Sequence, residues 1–219
     1  MPPSSRPPGD PLPHPLLLRL RAIAEARATS ESAHDFLHVL RVTANARRIA
    51  EAEGARLDIV VPAALLHELF NYPKGHPDSP RSGEVCADHA RVVLRAEGFD
   101  AEAIDAIATC IREHPFSLRV VPVTPEGKVL QDADRLDAIG AIGIARCMAT
   151  CADMKRPFYS LDDPFCATRA PDDKAFGIDH FYAKLLRIPD VLHTATARAM
   201  ASERVVAMTA FLGELAREI

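Results

Sequence analysis

The chain has 219 residues, 48% of them hydrophobic, which is enough to bury a core around an internal site. Its net charge of −4 argues against a long nucleic acid as partner, although a metal ion can still attract a small phosphorylated substrate. No uncharged apolar run approaches the roughly 18 residues that a membrane helix needs. The five scattered cysteines form no CxxC pair, so we expect free thiols in the cytoplasm.

Helical periodicity dominates the chain after a Pro-rich start. Residues 1–15 are predicted to be a disordered tail, and residues 16–219 a single all-α domain. The loops at 71–83, 116–126 and 156–173 are long, which favours functional roles for them. Val120, Val121 and Val123 are candidates for a short extended piece. The predicted helices are 16–28, 30 or 32 to 53, 62–70, 83–97, 101–113, 127–152, 174–187 and 191–218.

The first group of candidate site residues lies on the second predicted helix. His34, His38 and Arg41 recur at helical spacing on one side of it. A lone histidine in such a helix is usually a hydrogen-bonded core residue. Three polar groups on one side are harder to explain by core packing, which indicates a site.

The second group is the pair His67-Glu68, which follows the apolar run Ala63 to Leu66. Pro62 is predicted to open this helix from its first turn. Both side chains can reach one ion at the helix edge, or Glu68 can contact water or a second ion. A partly exposed helix end with a solvated Glu68 is the plainer alternative.

The third group is the set of acids in LQDADRLDAIGA, near the start of a predicted helix. Asp132 can be explained as a first-turn residue that interacts with the helix dipole. Asp134 and Asp137 lie a turn apart and deeper in the helix. Buried acids need a cation. Arg135 is one candidate, and a metal ion shared with His38 and His67 explains all three groups together.

The segments HDFLHVLRV, AALLHELF, REHPFS, QDADRLDAIGAIGIAR and HFYAKLLRI resemble the HD-domain superfamily of metal-dependent phosphohydrolases, from about residue 30 to the C-terminus. The resemblance implies an all-α helical bundle in which His38, His67 and Asp134 bind the metal. Glu68, also a predicted ligand, stands where the family has Asp and is one methylene longer. Asp132 and Asp137 look like residues that orient the ligands.

This resemblance implies hydrolysis by metal-activated water at a divalent ion, which could be Mn, Mg, Fe, Ni, Co or Zn. The predicted catalytic residues are Glu68, Glu113 and Arg135, with the metal-bound hydroxide as an alternative base. His114 has three interpretations: a helix cap, a metal ligand or a phosphate contact. The predicted substrate-binding residues are Arg41, Lys74, Arg81 and His114.

Family analogy suggests a nucleotide as the small phosphorylated substrate. Two alternatives stay open. Because Glu68 replaces the family's Asp, the protein could be a non-catalytic module that binds metal or nucleotide. Alternatively, it could be an HD-like oxygenase with two irons, in which His89 and His114 are the added ligands. The sequence is also compatible with a homodimer.

Overall fold

The structure, a computed structural model, describes residues 14–28, 35–73 and 76–219. All regular secondary structure in these ranges is helical, which confirms the all-α prediction, and residues 120–123 form no strand. The described helices include none long and apolar enough to span a bilayer. The α-helices are α1 (His14–Arg27), α2 (Phe36–Glu53), α3 (Leu57–Leu66), α4 (Ser82–Ala96), α5 (Ala101–Glu113), α6 (Pro125–Asp137), α7 (Gly140–Asp153), α8 (Asp179–Ala183) and α9 (Ala195–Glu218). Short 3₁₀ helices span Ser79–Arg81, Phe116–Leu118 and Leu185–Val191.

Some predictions fall outside the described residues. These are most of the predicted tail, at 1–13, the two alternative starts of the second predicted helix, Ser30 and Ser32, and the candidates His34 and Lys74. Helix α1 begins at His14, inside the segment predicted as tail.

Helix α2 has a polar cap at each end. The side chain of Asp35 accepts a hydrogen bond from the backbone N–H of His38 at 2.9 Å, so the helix begins later than predicted. It ends, as predicted, at Gly54, whose φ of 73° is the left-handed conformation that glycine adopts without strain. The N-cap therefore fixes the turn that carries His38.

Helix α3 is buried along most of its length. It begins at Leu57, so Pro62 lies in its interior and does not open it as predicted. Every residue from Ile59 to Leu66 is buried, which explains why the sequence is apolar on all sides. The helix ends at Leu66, and His67 and Glu68 follow directly after it.

The predicted long helix 127–152 is wrong, because it is broken into α6 and α7. Gly140 has a φ of 80°, which a continuous α-helix cannot contain. Arg146 donates to the backbone carbonyl and the carboxylate of Asp137, at 3.2 and 2.9 Å. Asp137 is therefore paired with Arg146 where α6 ends and α7 begins. Asp132 is wholly buried in the middle of α6, so a first-turn capping role is excluded for it.

The predicted helix at 174–187 is also wrong, since only the short α8 and a 3₁₀ helix occupy this stretch. In the segment before α8, at 163–169, side-chain hydrogen bonds hold the backbone. The carboxylate of Asp163 accepts hydrogen bonds from the backbone N–H groups of Ala167, Thr168 and Arg169. The bonds from Thr168 and Ala167 lower the pKa of Asp163 to about 2. Arg169 also pairs with the buried Asp179.

The chain divides into two compact units, residues 1–134 and 135–219. In the first, α3 packs against α1, α2 and α5, while α4 packs against α5. In the second, α7 packs against α9, and the last 3₁₀ helix packs against α8 and α9. One domain over 16–219 stays a prediction. All five acidic and imidazole residues of the candidate site described below belong to the first unit.

Gly83 allows α4 to approach the end of α5 closely. A Cβ atom at this position would lie 2.7 Å from the carbonyl oxygen of Arg112 and 3.0 Å from Cγ of Pro115. The backbone carbonyl cannot move away without shifting the chain on either side of His114. A side chain at Gly83 therefore disturbs both the helix packing and the site.

We predict that Gly83→Ala lowers the free energy of unfolding by about 1–3 kcal/mol, the usual range for overpacking. Urea denaturation of the purified protein measures this change. Gly213→Ala in α9 is the control, since a Cβ there meets nothing within 4 Å. The control should be neutral or stabilising by up to about 1 kcal/mol. A Gly83→Ala variant as stable as the parent protein would contradict the packing argument.

Candidate metal centre

Five side chains from four helices bring nitrogen and oxygen donor atoms together. His38 lies on α2, His67 and Glu68 follow α3, His114 follows α5, and Asp134 lies on α6. They form two groups, His38/His67/Asp134 and His67/Glu68/His114, and within each group the donor atoms lie within 4.8 Å of one another. The two groups share His67.

His67 and His114 occupy equivalent local positions. Each is the first residue after a helix and retains helical φ and ψ. Nδ1 of His67 lies 2.7 Å from the carbonyl oxygen of Ala64, and Nδ1 of His114 lies 2.6 Å from that of Ile111. A carbonyl oxygen only accepts, so each Nδ1 carries the proton and donates. Each Nε2 is left with a lone pair, which is the form that binds a metal ion.

The distances in the first group fit one shared ion. Nε2 of His38 lies 3.3 Å from Nε2 of His67 and 3.4 Å from Oδ1 of Asp134. Oε1 of Glu68, which belongs to the second group, lies farther from Nε2 of His38, at 3.9 Å. Two donors that are each about 2.1 Å from one ion, at tetrahedral or octahedral angles, lie roughly 3.0–3.4 Å apart. The donor atoms of His38, His67 and Asp134 therefore suit a bound divalent cation.

The local electrostatics favour the ligand forms of these side chains. Burial lowers the pKa of His67 to about 4; Glu68 opposes this shift, and His114 and His38 add to it. His67 is therefore neutral at physiological pH, and a metal ion need not displace a proton from it. Burial works against ionisation of Asp134, but His38, His114 and His67 outweigh it and lower the pKa of this carboxyl group.

The structure brings together the four predicted ligands and adds His114 to them. His114 was predicted to bind substrate, and its position among the donors favours its interpretation as a metal ligand. Glu113 lies outside both donor groups of the described residues, and its carboxylate is 3.4 Å from Nη2 of Arg112. This position gives no support to Glu113 as the general base.

The predicted cations take different positions. Arg41 is half-buried on α2, three residues after His38 and on the same side of the helix. Arg81 is exposed and pairs with Glu84 at 3.2 Å.

Arg135 is buried on α6 within the C-terminal unit. Its Nη1 donates to the carbonyl of Val191 at 2.5 Å and lies 3.3 Å from Nε2 of His193. These contacts explain Arg135 as a structural anchor, and its catalytic role stays a prediction.

Sequence reasoning missed two supporting residues. One is Asp35, the cap of α2, whose signal was an acid directly before a periodic apolar stretch. The other is Gln131, a wholly buried amide on α6 between the apolar Leu130 and the buried Asp132. His89, proposed for a di-iron site, packs against Phe70 with ring centroids 5.3 Å apart and lies outside both donor groups of the described chain.

Comparison with known proteins agrees with this geometry. The HD domain family model matches residues 35–139, a span that contains all five donors. The chain belongs to the HD-domain family. It is 35% identical over 206 residues to the uncharacterized protein YpgQ of Bacillus subtilis (strain 168), covering 92% of each chain.

Solved structures extend the likeness to the fold. The crystal structure of Bacillus subtilis YpgQ in complex with ADP is 34% identical, with a TM-score of 0.73 over 93% of this chain and 97% of that one. An HD-superfamily hydrolase from Bacillus thuringiensis is 28% identical, with a TM-score of 0.71 over 93% and 94% of the two chains. These relatives support the predicted class, a metal-dependent phosphohydrolase.

We predict that His38→Gln lowers the affinity for Mn²⁺ by at least about 10-fold, since it removes a donor from the first group. Equilibrium dialysis with metal analysis measures the affinity and stoichiometry. His180→Gln is the control, because His180 pairs with Asp173 in the C-terminal unit and belongs to neither donor group. If folded His38→Gln protein bound Mn²⁺ with the wild-type affinity, His38 would not be a metal ligand.

Proposed function

We propose that this protein hydrolyses a phosphate ester or anhydride bond of a nucleotide, using water activated at a divalent metal ion. The observation that carries the proposal is the convergence of His38, His67 and Asp134 on a space that suits one cation. The nucleotide is supported by the related YpgQ, which has been crystallised with ADP. Membership of the HD-domain family supports the phosphohydrolase chemistry.

Three imidazoles with two carboxylates favour a transition ion such as Mn, Fe, Co, Ni or Zn over Mg, which prefers oxygen ligands alone. When bound, the ion lowers the pKa of water and polarises a phosphoryl oxygen. The protein's task is then to hold the donors, to place the phosphate and to accept a proton.

Glu68 suits the role of proton acceptor as well as that of ligand. Its carboxylate is mostly shielded, with 12% of the side chain exposed, and it belongs to the second donor group while also approaching His38. A carboxylate in this position lies within reach of a water molecule between the donors. We therefore assign the general base to Glu68 and not to Glu113.

Arg41 is the proposed phosphate contact nearest to the donors along the chain. Phosphoryl transfer depends mainly on positioning and charge stabilisation. Arg41 lies about one helical turn beyond His38, so α2 carries a metal ligand and a cation at neighbouring positions of one face. Lys74 and Arg81 follow in the segment after Glu68 as further proposed contacts, and a phosphate must compete with Glu84 for Arg81.

We predict that Glu68→Asp keeps metal binding and preserves or raises kcat, because it restores the residue that the family resemblance implies. Glu68→Gln keeps the length but removes the basic carboxylate, and it should lower kcat by about 100- to 10,000-fold. Steady-state kinetics with chromatographic separation of the products measures both variants. Complete loss of metal from Glu68→Asp would show that the longer side chain is required.

The assay uses purified protein with Mn²⁺ and a panel of nucleoside mono-, di- and triphosphates. His38→Gln, prepared identically, reports contaminating phosphatase. Turnover that disappears in this control supports the proposal. Metal and nucleotide binding without turnover would replace it with a binding module, and two irons per chain with oxygen-dependent turnover would replace it with an oxygenase.

A further inference from the structure

Gln131 is a wholly buried polar residue whose amide joins two parts of the N-terminal unit. Its Nε2 donates to the backbone carbonyl of Glu113 at 3.0 Å and to that of Val120 at 3.0 Å. One side-chain NH₂ group thus holds two carbonyls that lie seven residues apart. Both bonds depend on an amide, since a primary amide offers two N–H donors at one nitrogen.

The two carbonyls delimit the segment that carries His114. Glu113 is the last residue of α5, where a helix leaves its carbonyls without intrahelical partners. Val120 lies beyond the 3₁₀ helix Phe116–Leu118. Gln131 therefore pins both ends of the segment 113–120, and His114 is directly bonded to one of the pinned residues.

Gln131 also lies one turn before Asp134 on α6. Residues three apart in a helix are neighbours on the same face. The turn of α6 that carries Asp134, a donor of the first group, thus also carries Gln131. Gln131 in turn fixes the backbone beside His114, a donor of the second group. The two groups are linked through one rigid helix.

We propose that Gln131 is a positioning residue for the metal centre: it sets the place of His114 relative to His67 and Glu68, and thereby the cation affinity of that donor group. The inference rests on the metal centre of the proposed function. Gln131 does not touch the ion; it acts through the backbone of His114.

The test is a titration with Mn²⁺ alone, without substrate, of wild type and Gln131→Met. Met has a similar length but no donor, so both carbonyls lose their partner. We expect Gln131→Met to bind Mn²⁺ about 10-fold or more weakly. Hydrogen exchange of the amides at 114–121 should become faster, and the visible spectrum of the Co²⁺-loaded protein should change as the imidazole shifts.

Leu130→Ala is the matched control, since Leu130 is wholly buried on the same helix and makes no side-chain hydrogen bond. It should lose stability yet keep its Mn²⁺ affinity within about 2-fold and its Co²⁺ spectrum unchanged. The proposal is overturned if Gln131→Met binds Mn²⁺ like wild type, or if Leu130→Ala weakens binding equally.

The titration separates this inference from the proposed hydrolysis. If Gln131→Met weakens Mn²⁺ binding but the wild type turns over no nucleotide, the positioning role stands and the proposed function fails. If the wild type hydrolyses nucleotides and Gln131→Met binds Mn²⁺ normally, the function stands and the positioning role is overturned. Wild-type protein that binds no Mn²⁺ overturns the positioning role as well.

Discussion

The site depends on two hydrogen bonds that run backwards along the chain, from Nδ1 of His67 and of His114 to carbonyls at the ends of α3 and α5. Each bond fixes the tautomer and the ring orientation, and each uses a carbonyl that the helix itself leaves unpaired. The ends of α3 and α5 therefore orient two of the imidazoles in the donor cluster. Had either helix continued for another turn, its carbonyl would be occupied and its histidine would lose this anchor.

The surrounding helices hold these two helix ends in place. Helix α3 is buried along most of its length, so its end is held by apolar contacts with α1, α2 and α5. Gly83 lets α4 lie against the last carbonyls of α5, and Gln131 satisfies another of them from α6. The Nδ1 atoms of His67 and His114 and the carbonyls of Ala64, Ile111 and Glu113 are thus paired without an ion, as the burial of polar groups requires.

The sequence was sufficient for the first donor group and for the fold class. His38, His67 and Asp134 were recognisable because ionisable groups interrupted apolar helical patterns, and the family resemblance gave their order. The role of His114 was not decidable, because a histidine at a helix end looks the same whether it caps the helix or faces other donors. The break at Gly140 was missed because the contacts around it are tertiary: Arg146, on α7, donates to the carbonyl of Asp137, and Arg204, on α9, donates to that of Leu136.

A crystal structure of the Mn²⁺-loaded protein, with the ion located by anomalous scattering, is the most direct test of the proposed metal centre. We expect an ion about 2.0–2.3 Å from Nε2 of His38, Nε2 of His67 and a carboxylate oxygen of Asp134. Nδ1 of His67 should keep its hydrogen bond to the carbonyl oxygen of Ala64. An ion bound elsewhere, or bound through Nδ1 of His67, would contradict the proposed metal centre.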